Sequence, residues 1–288
     1  MNTYREIVIC LQSGLQEYPE LDYGVKLAGL LGASVKFICV QQRGPTAKLK
    51  QAVEAGAEEL KAKGLSSEVE WAPGSLVEAM ERAVLGHPQA LALFSDRFGS
   101  TWQRLLRTIR FRHLMAEVSG PLLRVRDTCW PLKEILVCSG GFAYTIRLEK
   151  LAIHLAQAAG AKLTILHVVE PVTLDYSLAR EVHDHWANLI ETDTPQAQHL
   201  QKVLTAAKAA GVEAHVQIRH GQVVDEIVSE VQTGNYDMVG LGSVYSSHSL
   251  RGLYRPDVTA LVSAAISCPI LTMRGQLSDT FDQFADTF

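Results

Sequence analysis

Apolar positions along this chain fall into short unbroken runs that alternate with stretches of helical period, most clearly between Glu134 and Pro171. Glu134-Ile-Leu-Val-Cys-Ser-Gly-Gly141 reads as a buried strand running into a glycine turn. Leu148, Leu151, Ala152, Leu155, Ala156 and Ala159 then share one helical stripe, closed by Gly160. A second apolar run, Lys162-Leu-Thr-Ile-Leu-His-Val-Val169, follows, and Pro171 ends it. Strand, helix and strand at this spacing predict a right-handed βαβ unit with parallel strands. The loop after its first strand faces the crevice where ligands bind in such folds.

The same pattern occurs earlier. Glu6-Ile-Val-Ile-Cys-Leu11 predicts a strand, Leu21, Val25, Leu27, Ala28, Leu30 and Leu31 a helix ending at Gly32, and Ser34–Val40 a strand. At an offset of 128, Arg5–Cys10 falls on Lys133–Cys138, and Gly32–Val40 on Gly160–Val168 without a gap. Such self-similarity marks a tandem duplication. At an offset of 147 to 148 the later parts also match. In copy one the pattern predicts a helix over Ala52–Lys63, a strand over Ser67–Trp71, a helix over Ser75–Leu85 and a strand over Ala90–Phe94. In copy two it predicts a helix over Gln198–Ala210, a strand over Glu213–Arg219, a helix over Val223–Gln232 and a strand over Asp237–Leu241. Each copy closes with a helical segment and a strand opened by proline, Gly120–Arg126 and Cys268–Arg274. The growing offset assigns copy two about twenty extra residues between Val169 and Gln201.

The expectation is therefore an α/β protein of two tandem Rossmann-like domains, each an open parallel five-stranded sheet flanked by helices. Domain 1 spans 1–127, domain 2 spans 133–275 with an insertion at 169–201, and 276–288 form a tail. The short linker Asp127–Leu132 predicts packed domains, a pseudo-dimer joined through its last strands.

Composition narrows the class. With 288 residues, 47% hydrophobic and 20% charged, the chain can bury a core in each copy and is not of disordered type. No apolar run reaches the roughly 20 residues of a membrane helix. The N-terminal Met1-Asn-Thr-Tyr-Arg-Glu does not read as a signal peptide, so a cytoplasmic location is expected. A net charge of -4 argues against general nucleic-acid affinity. Residues 1–127 carry 16 of the 27 basic and 14 of the 31 acidic residues, which leaves the second half acidic. The five cysteines show no CxxC spacing, and Cys10, Cys39 and Cys138 lie in apolar strand patterns, so neither a disulfide nor a structural zinc is expected.

The run Gly160-Ala-Lys-Leu-Thr-Ile-Leu-His-Val-Val-Glu-Pro171 resembles the second strand and exit of the universal stress protein family. Gly211-Val-Glu-Ala-His-Val, Gly221, Tyr236-Asp-Met-Val-Gly-Leu-Gly-Ser243 and Cys268-Pro-Ile-Leu follow in that family's order and spacing. The resemblance covers nearly the whole chain and is stronger in copy two. It implies a binding or regulatory module in stress response rather than an enzyme, and many members bind ATP. Binders of that family carry an Asp after the first strand and a Gly-x-x-Gly, nine residues, Gly-Ser/Thr pattern after the fourth. Glycines there let backbone amides approach phosphate oxygens. Here Gly140 and Gln12 stand at the Asp positions, Tyr245 replaces the second glycine, and Pro256-Asp257 replace the final pair. Copy one has Ser95-Asp-Arg-Phe98 and Thr108-Ile109 at the corresponding places. These departures weigh against ATP binding in the family's usual manner.

The candidate ligand residues are Ser139, Gly140 and Gly141, Val168 at the end of the second strand, and Gly242 with Ser243 after the fourth. A strand-to-helix glycine loop can act as a nest for an anion, with ATP or AMP as the candidate cofactor; the plainer reading is a tight turn. Ser139-Gly-Gly141 also resembles the start of the Ser-Gly-Gly-x-Asp-Ser loop of ATP pyrophosphatases, with Ala143-Tyr144 in place of Asp-Ser. One alternative is a slow ATPase or nucleotide-dependent transferase using this loop; another is a scaffold for protein partners that binds no small molecule.

Other clusters have simpler explanations. Arg97, Arg104, Arg107, Arg110 and Arg112 could receive an anion or an acidic partner, but a solvated helix face accounts for them. His183-Asp-His185 with Trp186 does not give metal-ligand geometry on a helix and suggests a mobile or partner-binding insertion. Ser246-Ser-His-Ser249 lacks a nucleophile elbow and reads as a polar loop. His167 reads as a hydrogen-bonded core histidine. Phe281, Phe284 and Phe288, interspersed with Asp279, Asp282 and Asp286, would support docking on a protein partner or self-association, or form a frayed tail.

Overall fold

The computed structural model describes residues 4–41, 46–86, 90–95, 120–140, 145–170, 186–243 and 258–274. The chain divides into two compact units, Met1–Trp130 with Ser267–Leu271, and Pro131–Ile266 with Thr272–Phe288.

In the first unit the described elements are β1 (Glu6–Gln12), α1 (Pro19–Leu31), β2 (Ser34–Val40), α2 (Ala47–Ala62), β3 (Ser67–Ala72), α3 (Leu76–Gly86), β4 (Leu91–Phe94) and β5 (Leu122–Arg124). The strands lie in the order β3-β2-β1-β4-β5, all pairs parallel. Helix α2 starts five residues before the predicted Ala52, because Leu49, Val53 and Leu60 with Gly56 form one buried stripe at helical spacing. A reciprocal capping box opens the third helix. Ser75 donates its N–H to Glu78 Oε2 over 2.9 Å, and Glu78 donates its N–H to Ser75 Oγ over 3.3 Å.

The second unit contains β6 (Glu134–Cys138), α4 (Ile146–Ala159), β7 (Lys162–Val169), a 3₁₀ turn (Trp186–Glu191), α5 (Pro195–Ala209), β8 (Ala214–His220), α6 (Val223–Thr233), β9 (Met238–Ser243), α7 (Val258–Ala265) and the Thr272–Arg274 end of β10 (Ile270–Arg274). The order is β10-β9-β6-β7-β8, with β6 parallel to both β7 and β9. Helix α5 begins ahead of the predicted Gln198. Pro195 occupies its first turn, and Thr194 accepts the N–H of Ala197 over 3.3 Å, a start signal that the apolar period alone does not carry. Arg219 fastens β8 to α6, with Nε donating to Glu226 over 2.7 Å and a terminal nitrogen to Glu230 over 2.6 Å.

The duplication is preserved in the register. Glu6 pairs with Ser34 and Glu134 with Lys162, both displaced by the offset read from the sequence. Gly32 and Gly160 close the first helix of each copy in the left-handed region, at φ 62° and 63°. Position 24 differs: a Cβ on Gly24 would collide with Ile9 Cδ1, whereas the equivalent residue in copy two is Ala152. The strands of both cores are nearly fully buried, as parallel sheets covered on both faces require. The edge strands are the exceptions: β3 is exposed, with Val69 and Trp71 about two-fifths accessible, and β8 is mostly half-buried. None of the five cysteines forms a disulfide, and Cys10, Cys39 and Cys268 are buried. No helix among the described residues is long and apolar enough to cross a membrane.

Candidate functional site

Strand order decides where a site can form in the second unit. From β6 the chain moves outward through β7 to β8, then returns to β9 on the other side of β6. The reversal leaves a crevice outside the carboxyl ends of β6 and β9. Cys138 lies opposite both Leu166 and Leu241, so Ser139 is level with His167 and Gly242, and Gly140 with Val168 and Ser243. Five of the six predicted ligand residues thus come to the ends of three adjacent strands. Gly141 lies outside the described residues, as do Ala143, Tyr144, Tyr245 and the Pro256-Asp257 pair.

Two of these positions have a packing role. Ser139 is buried; its N–H donates to the carbonyl of Leu166 over 2.8 Å, and its own carbonyl accepts from His167 Nδ1 over 2.9 Å. Both peptide groups that flank the Ser139 Cα are therefore held to β7. Gly242 faces the entry of α4, where an added Cβ would lie 2.9 Å from Thr145 Cγ2. Its missing side chain lets that helix approach the sheet, a reason for glycine independent of any phosphate.

Beside Gly242, through Thr145, lies a polar cluster that the apolar pattern did not single out. Glu149, in the first turn of α4, is fully buried. Both of its carboxylate oxygens lie 3.0 Å from His199 Nε2, on α5. Thr145 Oγ1 donates to Glu149 Oε1 over 2.7 Å, and this threonine makes no side-chain cap to its own helix. Since the carboxylate accepts, His199 Nε2 carries a proton. The clue in the sequence was Glu149 itself, a carboxylate set among Leu148, Leu151 and Ala152.

His167 is the buried, hydrogen-bonded histidine expected from its strand. Burial holds its pKa below the usual histidine value; the bond to the Ser139 carbonyl opposes this, nearby His199 adds to the lowering, and Glu149 opposes it. At neutral pH its ring is uncharged, with Nδ1 carrying the proton given to Ser139.

Part of the inserted segment is also placed. Trp186–Glu191 forms the 3₁₀ turn, with Leu189 buried, Trp186 stacked on His220 at 5.5 Å between ring centroids, and Gln201 Nε2 donating to the Ile190 carbonyl over 2.6 Å. This end of the insertion is packed on its own unit through an apolar anchor, Leu189. His183 and His185 lie outside the described residues, as do the arginines from Arg97 to Arg112, Ser246–Ser249 and the phenylalanine tail.

In the first unit the corresponding crevice holds buried Ser13 after β1 and buried Ser95 after β4, with Gly14 at φ 88°. Ser13 donates its N–H to the Val40 carbonyl over 3.0 Å. Glu20, in the first turn of α1, is as buried as Glu149 in α4.

Comparison with known proteins agrees with this architecture. A family model described as "Universal stress protein family" matches residues 131–274. A functionally unknown protein from Pseudomonas aeruginosa PAO1 superposes with a TM-score of 0.70 at 15% identity, covering 95% of this chain and 94% of that one. A universal stress protein from Archaeoglobus fulgidus DSM 4304 gives a TM-score of 0.62 at 15% identity, over 94% of this chain and 97% of its own. The cytoplasmic domain of a prokaryotic cation chloride cotransporter gives 0.56 at 12% identity, over 93% and 95%. Identities this low carry the fold alone. No curated protein sequence matches the chain. With half of its residues matched by the family's own model, and tandem parallel α/β units throughout, the chain belongs to the universal stress protein family.

Proposed function

We propose that this chain is a cytoplasmic binding and regulatory module of stress response, whose second domain takes a nucleotide or another anion. The observation that carries this reading is the meeting of Ser139, Gly140, Val168, Gly242 and Ser243 at the carboxyl ends of three adjacent strands, beside the reversal of strand order. Gly140 brings a backbone N–H and Val168 an apolar wall, a set suited to holding a ligand rather than transforming it. Neither Ser139 nor Gly140 brings a carboxylate to hold magnesium, which favours binding over phosphoryl transfer. The first domain serves as the structural or partner-facing half, open to self-association or a protein partner.

Calorimetric titration with ATP, ADP and AMP, with and without magnesium, tests the reading. The expected result is metal-independent binding near one nucleotide per chain, lost in Gly140→Val, whose branched side chain crowds the backbone amide that would meet the anion. Nucleotide turnover abolished by the same substitution would instead favour a slow ATPase. No heat up to millimolar nucleotide would leave the protein-scaffold reading.

A further inference from the structure

In each unit the sheet ends on one side at its third strand, β3 in the first and β8 in the second. The two edges present equivalent backbone groups. Val35 donates its N–H to the Ser66 carbonyl and Gln41 donates to that of Ala72, so Ser66, Glu68, Glu70 and Ala72 bond toward β2. In a parallel ladder the alternate residues, Ser67, Val69 and Trp71, turn their N–H and C=O outward. Leu163 likewise donates to the Glu213 carbonyl and Gly221 to that of Val169. On β8 the outward set is therefore Ala214, Val216, Ile218 and His220.

The surroundings of the two edges differ. Beside β8, Trp186 at the end of the insertion stacks on His220, and Val216 and Ile218 are half-buried. On β3 the equivalent Val69 and Trp71 are 41% and 40% exposed, and no described strand pairs with its outer edge. Only residues 41–46 join β2 to α2, whereas 170–194 join β7 to α5 and supply that cover.

The side chains of β3 define what fits there. On one face Glu68 and Glu70 share Lys36, whose Nζ lies 3.8 Å and 2.9 Å from them, so the trio carries one excess negative charge. On the other face are Val69 and Trp71, the latter with Lys50 Nζ of α2 5.7 Å from its ring centre. Beside the start of the strand is an open hollow lined by Ala57, Glu58, Lys61, Leu65, Ser66 and Ser67, with room for a side chain. A second β3 docked across a two-fold axis would set Glu68 and Glu70 against the same carboxylates, which repel. A strand with lysine or arginine at alternate positions would meet them with opposite charge. Its intervening apolar side chains would lie along Val69 and Trp71.

We propose that the outer edge of β3 docks an extended segment of another protein in which basic and apolar residues alternate, added to the sheet as a further strand. The inference rests on the first domain being the partner-facing half and gives that role a surface and a partner chemistry. It is independent of nucleotide binding in the second domain.

The test is fluorescence anisotropy of the full chain with a labelled peptide of three lysine–valine repeats. The comparators are a glutamate–valine peptide of the same length and a lysine–valine peptide whose backbone nitrogens are all methylated. The first peptide should bind about tenfold or more tightly than either comparator, since one comparator reverses the charge and the other cannot donate to the edge. Glu68→Lys combined with Glu70→Lys, both on the exposed strand, should reverse the preference between the lysine and glutamate peptides. Val69→Pro removes an outward N–H without breaking a ladder bond, so the thermal melt should persist while affinity falls about tenfold. The methylated peptide tests the same bonds should that variant fail to fold. Binding that ignores both the methyl groups and the charge reversal is general attraction and overturns the proposal, as does no binding up to millimolar peptide. Sedimentation of the chain alone covers the remaining occupant. A dimer that Val69→Pro dissociates would put a second copy on this edge, overturning the basic partner while keeping the first domain's partner-facing role.

Discussion

His167 donates its Nδ1 proton to the carbonyl oxygen of Ser139 over 2.9 Å, tying the end of β7 to the loop after β6. The bond needs no charge on the ring, and burial depresses the histidine's pKa below its usual 6.5. The unfolded chain therefore takes up this proton more readily than the folded protein as pH falls. The stability linked to His167 is complete above pH 6.5 and is lost as pH drops from there through the lower folded value. Urea denaturation at pH 7.5 and pH 5 should show a larger fall in midpoint for wild type than for His167→Gln. An equal fall in both proteins would mean that other groups carry the acid sensitivity.

The two helix-closing glycines make a matched pair. Gly32→Ala and Gly160→Ala each force a Cβ into a left-handed conformation near φ 62–63°, with open space around it. Each should lower stability by about 1 kcal/mol, read from denaturant midpoints, and by similar amounts because the local geometry is the same. A marked difference between them would show that surrounding packing outweighs the backbone term.

Gly242→Ala probes the crevice without adding charge. Its Cβ would lie 2.9 Å from Thr145 Cγ2, a branched side chain that is itself buried. The expected cost is about 1–3 kcal/mol, that of overpacking, whether or not nucleotide is present. Thermal melts at several nucleotide concentrations check this. If the loss appears only with ligand bound, the glycine is there for ligand approach rather than for helix packing.

Thiol reactivity follows burial. Burial pushes the thiols of Cys39 and Cys268 up to about 12 and raises that of Cys10 as well, so all three remain protonated at pH 8. Brief treatment with iodoacetamide at pH 8, followed by peptide mass spectrometry, should leave these three unmodified. The same reagent in 6 M guanidinium should label them all. Rapid native labelling of Cys10 or Cys39 would mean that the first unit opens locally.

Much of the architecture is legible in local pattern. The offset of 128 between Arg5–Cys10 and Lys133–Cys138 predicts two copies of one unit, and the paired registers of Glu6 with Ser34 and Glu134 with Lys162 repeat that displacement. The early starts of α2 and α5 were less visible. A helix end is set by capping and by single buried residues such as Leu49, and these add little to a sum over apolar periodicity. Three strand ends carrying Ser139, Val168 and Gly242 could be foreseen together, since each follows an apolar run. The reason for glycine at 242 could not, because its nearest neighbour, Thr145, is almost a hundred residues away in sequence.

By itself the sequence determined the elements, the repeat, the family and the cores, because alternation, helical period and glycine or proline breaks act through near neighbours along the chain. Tertiary structure alone decided that Glu149 would meet His199 fifty residues later, and that His167 would hold the Ser139 carbonyl. Those pairings depend on which helix faces which and on the depth at which each polar group is buried. A carboxylate in an apolar stripe announces that it needs a partner, and only the packed fold identifies the partner.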